Sequence, residues 1–531
     1  MAMAAHPPPG SYNRPRGPGD MRGDYRPLAA APQLHQDWDE PQDEQRSVTW
    51  PELFFDLFFV AAISNLSHLF EERPDAPNAG RVVLYHALVF FLWSEYTMLK
   101  TRYRLRGLLF RVVGLGLQLG LLGFIIATRA DAQWPQLLAG GYACARVCIA
   151  ASHVIIAWCI PRARKLSAMT AVAGLALAAA PAWLAWQKDA AYALHVKVMA
   201  AVAAGEFIEP LLPTLAPQAD IPLHVQHMSE RLGQLVMLHL GEAIIGIAAT
   251  PLESTVPQFT AVALAATLAW ALHLIYYHVE PDEHSHAYRQ SRMRGLLYFY
   301  CHWLLTVALL LTGSGLRLLL GTYPSPHHAQ QEPLAPLDTS LMLCIAYGFS
   351  LHMLAAIRGA HYLGLEPQHR AVRAVSRAGV KGWWLGWWLM LGLWPLPVYL
   401  LPLLIWWLNG PAATAGAASA GGDGMYSGPC LEGERVAVAA SIGGSRFTGC
   451  SDADSLMQQG SASLGLPMAG LLGSSGSISV TLLLSLLAGH AVLLVLAETL
   501  FAHMITKTPL VGGADGGNDT PQGPAQEEDE L

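Results

Sequence analysis

Charge is what this sequence has least of: 13% of its 531 residues are Asp, Glu, Lys or Arg, while 53% are apolar. So few charges cannot coat a water-facing surface of this size, and with 16 tryptophans the composition points to a membrane protein. Basic character is missing too. The formal net charge is −7 and no basic stripe offers nucleic acid a surface. Cysteine is sparse, seven in all without a Cys-x-x-Cys pair, so there is no disulfide framework, and Cys144, Cys148 and Cys159 in apolar stretches read as packing thiols. No His-Glu-x-x-His, nucleophile elbow, phosphate-binding loop or dinucleotide glycine run occurs, which removes the known soluble catalytic templates and leaves no cofactor to expect. Residues 1–49 also lack the apolar core of a signal peptide and read as a disordered cytosolic tail.

What is present is a series of apolar runs, each near the roughly 20 residues that cross a hydrocarbon core. They fall at 52–70, 82–100, 108–128, 137–160, 168–186, 191–212, 232–250, 259–279, 295–320, 340–362, 383–408 and 478–505. The expected fold is therefore an all-α integral membrane protein of about twelve transmembrane helices. Lys and Arg concentrate in alternate connections, among them Lys100, Arg102, Arg104, Arg106, Arg162, Arg164, Arg289, Arg292, Arg370 and Arg373, which places both termini in the cytosol. Residues 50–408 carry spans one to eleven, 409–477 form an Ala/Gly/Ser-rich non-cytosolic loop, 478–505 the last span and 506–531 an acidic disordered tail. Cys430 and Cys450 in that loop could form a disulfide or remain two free thiols. Trp383, Trp384, Trp387, Trp388 and Trp394 read as interfacial anchors.

The stretch TWPELFFDLFFVAAISNLSHLF, 49–70, places Glu52 and Asp56 four residues apart on one helix face among phenylalanines and leucines. A charged group at mid-bilayer costs about 2.5 to 3.5 kcal/mol on insertion scales, so two on one face mark a candidate functional site. A second stretch, HMSERLGQLVMLHLGEAIIGI, 227–247, has Glu230 and Arg231 at the mouth of a span and His239 and Glu242 within it, with Gly233 and Gly241 read as sites of close helix approach. Glu95 lies between membrane-like neighbours Trp93 and Tyr96. Glu206 and Glu209 read instead as a solvated helix end. The loop HVEPDEHSH offers His278, Glu280, His284 and His286 as metal-ligand candidates, in a spacing that matches no defined motif.

The pattern Glu52-Leu-Phe-Phe-Asp56-Leu-Phe-Phe-Val60, followed by Glu230-Arg231-x-Gly233 and Leu240-Gly241-Glu242, resembles the low temperature requirement A (LtrA) family of multi-pass membrane proteins. Trp93-x-x-Tyr96-Thr97, Arg102, Arg111, Tyr142, Arg146 and His302 resemble further positions of that family. Where the family carries acids between its two loop arginines, this chain has Arg104, Arg106 and Gly107. The resemblance implies an architecture, and the family name records cold growth rather than a reaction.

Glu52 to Trp93 spans 41 residues and Glu230 to Trp270 spans 40, each leading from an acid-opened helix to an aromatic one, which suggests two similar six-helix halves running parallel. If the halves face each other, Glu52, Asp56, Glu95 and Glu242 converge on one polar cavity with Arg102, Arg146 or His302 as counter-charges. The expected function is then a transporter or channel for a small solute or ion within the lipid bilayer. The alternatives are a non-transporting membrane factor linked to low-temperature growth, or an intramembrane enzyme using Asp56, Glu242 and His302 on a lipid-like substrate.

Overall fold

The first helix begins where the sequence supplies its own stop for the loose N–H groups. The backbone N–H and hydroxyl of Thr49 both donate to Glu52 Oε2, at 2.9 and 2.6 Å, and Pro51 stands in the first turn of α1 (Trp50–Glu72). The same logic starts α2 (Ala76–Arg102), where Asp75 accepts from Asn78 N at 2.8 Å. The computed structural model describes residues 31–34, 48–129, 133–215, 221, 223–250, 256–277, 286–322, 334–362, 392–409 and 477–507. The expectations for most of both tails, for Cys430 and Cys450, and for His278, Glu280 and His284 lie outside the described residues.

After α2 come α3 (Leu108–Thr128), α4 (Pro135–Cys159), α5 (Arg164–Trp186), α6 (Tyr192–Ile208), α7 (Val225–Ala248), α8 (Val256–Tyr277), α9 (Arg292–Leu320), α10 (Leu337–Tyr362), α11 (Leu396–Asn409) and α12 (Val480–Lys507). Ten of these are long and apolar enough to cross a membrane, which makes the protein an all-α membrane protein. The count differs from twelve at two places. The expected sixth span is a 17-residue helix that then turns into a short 3-10 segment at Glu209–Leu211, and the eleventh is described only from residue 392 onward. Among the described residues, extended pairing is limited to Gln33–Leu34 with Tyr103–Arg104 and Leu334–Pro336 with Ser477–Ser479. The first of these falls inside the tail that was expected to be unstructured.

Burial sorts the helices. α2 and α9 are the most enclosed, and Phe55, Phe59, Phe90, Trp93 and Phe299 pack between them and α1. Leu109, Val112, Leu115, Leu119 and Ile126 on α3 are exposed on one side, as a face toward acyl chains requires. α3 meets α4 backbone to backbone: a Cβ at Gly141 would stand 2.5 Å from Phe124 N and 2.6 Å from Gly120 O. The close approach expected at Gly233 and Gly241 falls here instead. Gly241 has nothing within 4 Å of an added Cβ, and Gly233 makes only ordinary contacts with Tyr276 and Tyr277.

Helices α1 and α7, which open the two expected halves, run parallel in a constant register. Glu52 meets His227 and Asp56 meets Arg231, both across a separation of 175 residues. The register follows from equal helical rise on both sides, so one ion pair aligns the next.

Candidate functional site

The sequence-derived intramembrane carboxylates occupy three places rather than one. At the first, α1 is bound to α7 by a closed network. Asp56 accepts from Arg231 Nη1 and Nη2 at 2.5 and 2.7 Å and from Trp93 Nε1 at 3.0 Å, while the guanidinium lies 5.4 Å from the Trp93 ring centroid. Glu52 combines its capping role with a 3.1 Å contact from Oε1 to His227 Nε2. Arg231 is the counter-charge of Asp56, in place of the Arg102, Arg146 or His302 that were expected. Glu230 stands half-buried beside it.

At the second place, Glu242 sits near the far end of α7, about 16 Å along the helix axis from Arg231 at 1.5 Å per residue. It hydrogen-bonds with Ser64 and lies among His68, Arg317 and Glu71. Arg317 and Glu71 are 3.2 Å apart, and Ser67 and Ser314 share a 2.7 Å hydrogen bond that joins α1 to α9. Glu242 therefore does not face Glu52, Asp56 or Glu95 across a cavity.

Glu95 belongs to a third place, and it has company that the sequence reading set aside. Arg146, fully buried on α4, is ion-paired with Glu95, with Glu206 Oε1 at 3.2 Å and with Glu209 Oε2 at 2.5 Å. Tyr142, one turn earlier on α4, donates its hydroxyl proton to Glu206. The reading of Glu206 and Glu209 as a solvated end is thus corrected: Glu206 is 1% exposed and both carboxylates are turned inward. The physical reason is that α6 packs against α2 and α4, which brings the acid-bearing side of its last turn beside the buried Arg146. The signal was available in outline, since two acids at i and i+3 in an apolar helix have no basic residue beside them to pair with.

Glu95, Glu206 and Glu209 line a cavity of about 530 Å³ bounded also by Arg102, His153, Tyr288, Arg292 and Phe299. His153 Nε2 lies 3.6 Å from Glu95 Oε1, and neither ring nitrogen has a hydrogen-bond partner among the described residues. Three ionised carboxylates against Arg146 alone leave a formal charge of −2 in this cluster, and Arg102, Arg289 and Arg292 add positive charge to the same cavity lining. The cavity sits at the end of the bundle that carries Arg102, Arg289 and Arg292.

The remaining candidates are interhelical links. Leu235 O accepts from His239 Nδ1 at 2.8 Å, which leaves His239 Nε2 as the acceptor for His86 Nε2–H at 3.0 Å, so the pair ties α7 to α2. His302 donates through Nδ1 to Tyr298 O at 2.7 Å and accepts from the Tyr276 hydroxyl at 2.9 Å. His286, the one described member of the proposed metal loop, serves as the N-cap of the turn Ala287–Gln290 and accepts from Tyr288 N. Its ring packs on Tyr298 and His361. Sequence reading did not find Arg358, which pairs with Glu498 from α12 and donates to Ile275 O at 2.6 Å.

No curated protein and no solved structure matches this chain. The family described as bacterial low temperature requirement A protein (LtrA) matches residues 47–418, from the start of α1 past the end of α11, and so takes in all three of the places described above. With most of its length matched, from the capped Glu52 helix onward, the chain belongs to the LtrA family of multi-span membrane proteins.

Proposed function

We propose that this protein moves a small solute or ion across its membrane, with the cavity beside Arg146 as the binding site. One observation carries the reading: three carboxylates, Glu206 buried and Glu95 and Glu209 half-buried, share one buried guanidinium beside a cavity of about 530 Å³. That volume is in the range of small-ligand sites. A polar core that served only to fix helix register would balance its charges, as Asp56 and Arg231 do, because an unbalanced charge in a low dielectric costs several kcal/mol. Acids clustered beside a cavity inside a membrane protein are the equipment of a pathway through which protons or cations pass. Asp56 and Glu52 then hold α1 against α7 as part of the frame. A lipid-directed enzyme built on Asp56, Glu242 and His302 draws no support from the geometry, since these residues lie in three separate networks.

The test is flux in sealed liposomes under imposed ion and proton gradients, with wild type beside Glu206→Gln and Glu209→Gln. Movement in wild type that disappears in folded variants supports the reading. Wild-type flux that both variants retain would move the pathway elsewhere. Absence of flux under every gradient would favour the non-transporting membrane factor.

A further inference from the structure

We infer that Glu95, Glu206 and Glu209 together bind one divalent metal cation of the Mg²⁺ or Mn²⁺ type. The inference names the ion class for the cavity proposed above and rests on that reading for its setting; binding itself requires no movement. One ligand oxygen from each of the three carboxylates lies within 4.8 Å of the others, close enough for a single ion to draw them together with small side-chain shifts.

Two independent observations point into the same space. Arg146 engages one oxygen of Glu206 and one of Glu209, while Glu206 Oε2 and Glu209 Oε1 are buried without a hydrogen-bond partner among the described residues. A buried carboxylate oxygen left without a donor is costly, and a cation removes that cost. His153, 4% exposed on the wall of the same cavity, has both ring nitrogens without a partner and Nε2 close to Glu95. A carboxylate set with one imidazole nearby is the donor chemistry of hard and borderline divalent ions rather than of soft ones.

Around Arg146 itself the three acids, when ionised, leave −2, a charge that a divalent ion matches, while Arg102, Arg289 and Arg292 also line the cavity. Arg146 is then the positioning residue. Its guanidinium holds one edge of each carboxylate and turns the other edges toward the ion, and the acids come from α2, α6 and the turn after α6. Two bound protons would match the charge of this cluster equally well, and this is the rival that the experiment separates.

The experiment is a Mn²⁺ titration of the purified full chain in detergent after chelator treatment, following the free-ion electron paramagnetic resonance signal. One Mn²⁺ per chain is expected, displaced by excess Mg²⁺ and weakened at least tenfold by Glu206→Gln or Glu209→Gln. Glu242→Gln, near the far end of α7, should bind as wild type does. Absence of bound Mn²⁺ in wild type overturns the inference whatever the variants do, and leaves protons as the neutralising species. Unchanged binding in both glutamine variants, or binding lost instead in His284→Ala, also overturns it by placing the ion elsewhere. Size-exclusion profiles and tryptophan emission establish that each variant is folded, and a Glu95→Gln variant provides a second removal if one fails. Mn²⁺ binding without flux in liposomes would sustain the metal site and sink the transport reading. Flux of another ion without Mn²⁺ binding would do the reverse.

Discussion

Asp56 and Arg231 meet as a closed fork, each carboxylate oxygen taking one guanidinium nitrogen at 2.5 or 2.7 Å with both side chains buried. The Trp93 indole N–H supplies a third donor to Asp56, and Gln234 accepts from Arg231 at 2.9 Å. Asp56→Asn should therefore destabilise the protein by about 3 to 5 kcal/mol, because it leaves an arginine buried without its anion. The double change Asp56→Leu with Arg231→Met should recover most of that loss. Thermal unfolding in detergent measures both, and a double variant as unstable as the single would show that the charges, and not their pairing, are what the fold needs.

The α3–α4 contact gives a prediction about volume. Gly141→Ala places a methyl carbon against backbone atoms that cannot move aside, so a loss of about 1 to 3 kcal/mol or more is expected. Gly241→Ala meets nothing within 4 Å and should be neutral or slightly stabilising through helix propensity. Comparing the two melting temperatures in one detergent checks the pair, and a large loss at Gly241 with none at Gly141 would contradict the packing described.

The last helix stands outside the family match, which ends at residue 418, yet it is part of the bundle. α12 packs against α8 and supplies Glu498 to Arg358. Glu498→Gln should cost about 3 to 5 kcal/mol by leaving Arg358 partly uncompensated, and a chain cut after residue 476 should lose stability by at least as much. Expression level and unfolding midpoint of both would report it. A truncated chain as stable as the full one would mean that α12 is an appendage.

His286 gives a pH dependence outside the spans. Burial pushes its imidazole down to about 4 from an ordinary 6.5, and the nearby Arg289 charge acts in the same direction. The groups packed on it are Tyr288, Tyr298 and His361. Between about 4 and 6.5 the unfolded chain binds the proton and the folded one does not, so the contribution of His286 to stability is present above 6.5 and falls as the pH drops toward 4. His286→Asn keeps an N-cap acceptor for Tyr288 N and removes the titration. Its unfolding midpoint should depend less on pH across that window than the wild type's; an identical dependence would remove His286 as the source.

Much of the architecture was legible from the chain. Hydrophobic runs of membrane length follow from the need to satisfy every backbone group inside a bilayer, so composition and run length alone led to an all-α membrane protein. Glu52 and Asp56 stood out because two acids in a run of phenylalanine and leucine have no solvated face to occupy. The family was legible in the same residues.

Partnership was not legible. That Asp56 belongs to Arg231, that Glu242 sits near the far end of α7 from both, and that Glu95 shares Arg146 with Glu206 and Glu209 depends on which helices lie side by side. Spacing along one chain carries no information about that, because a residue's helical face is set locally while its neighbour is set by packing over separations of 51 to 175 residues. The ionisable residues were written in the sequence. Only the tertiary structure determined which of them pair off, as Asp56 and Arg231 do, and which gather around one shared counter-charge, as Glu95, Glu206 and Glu209 do at Arg146.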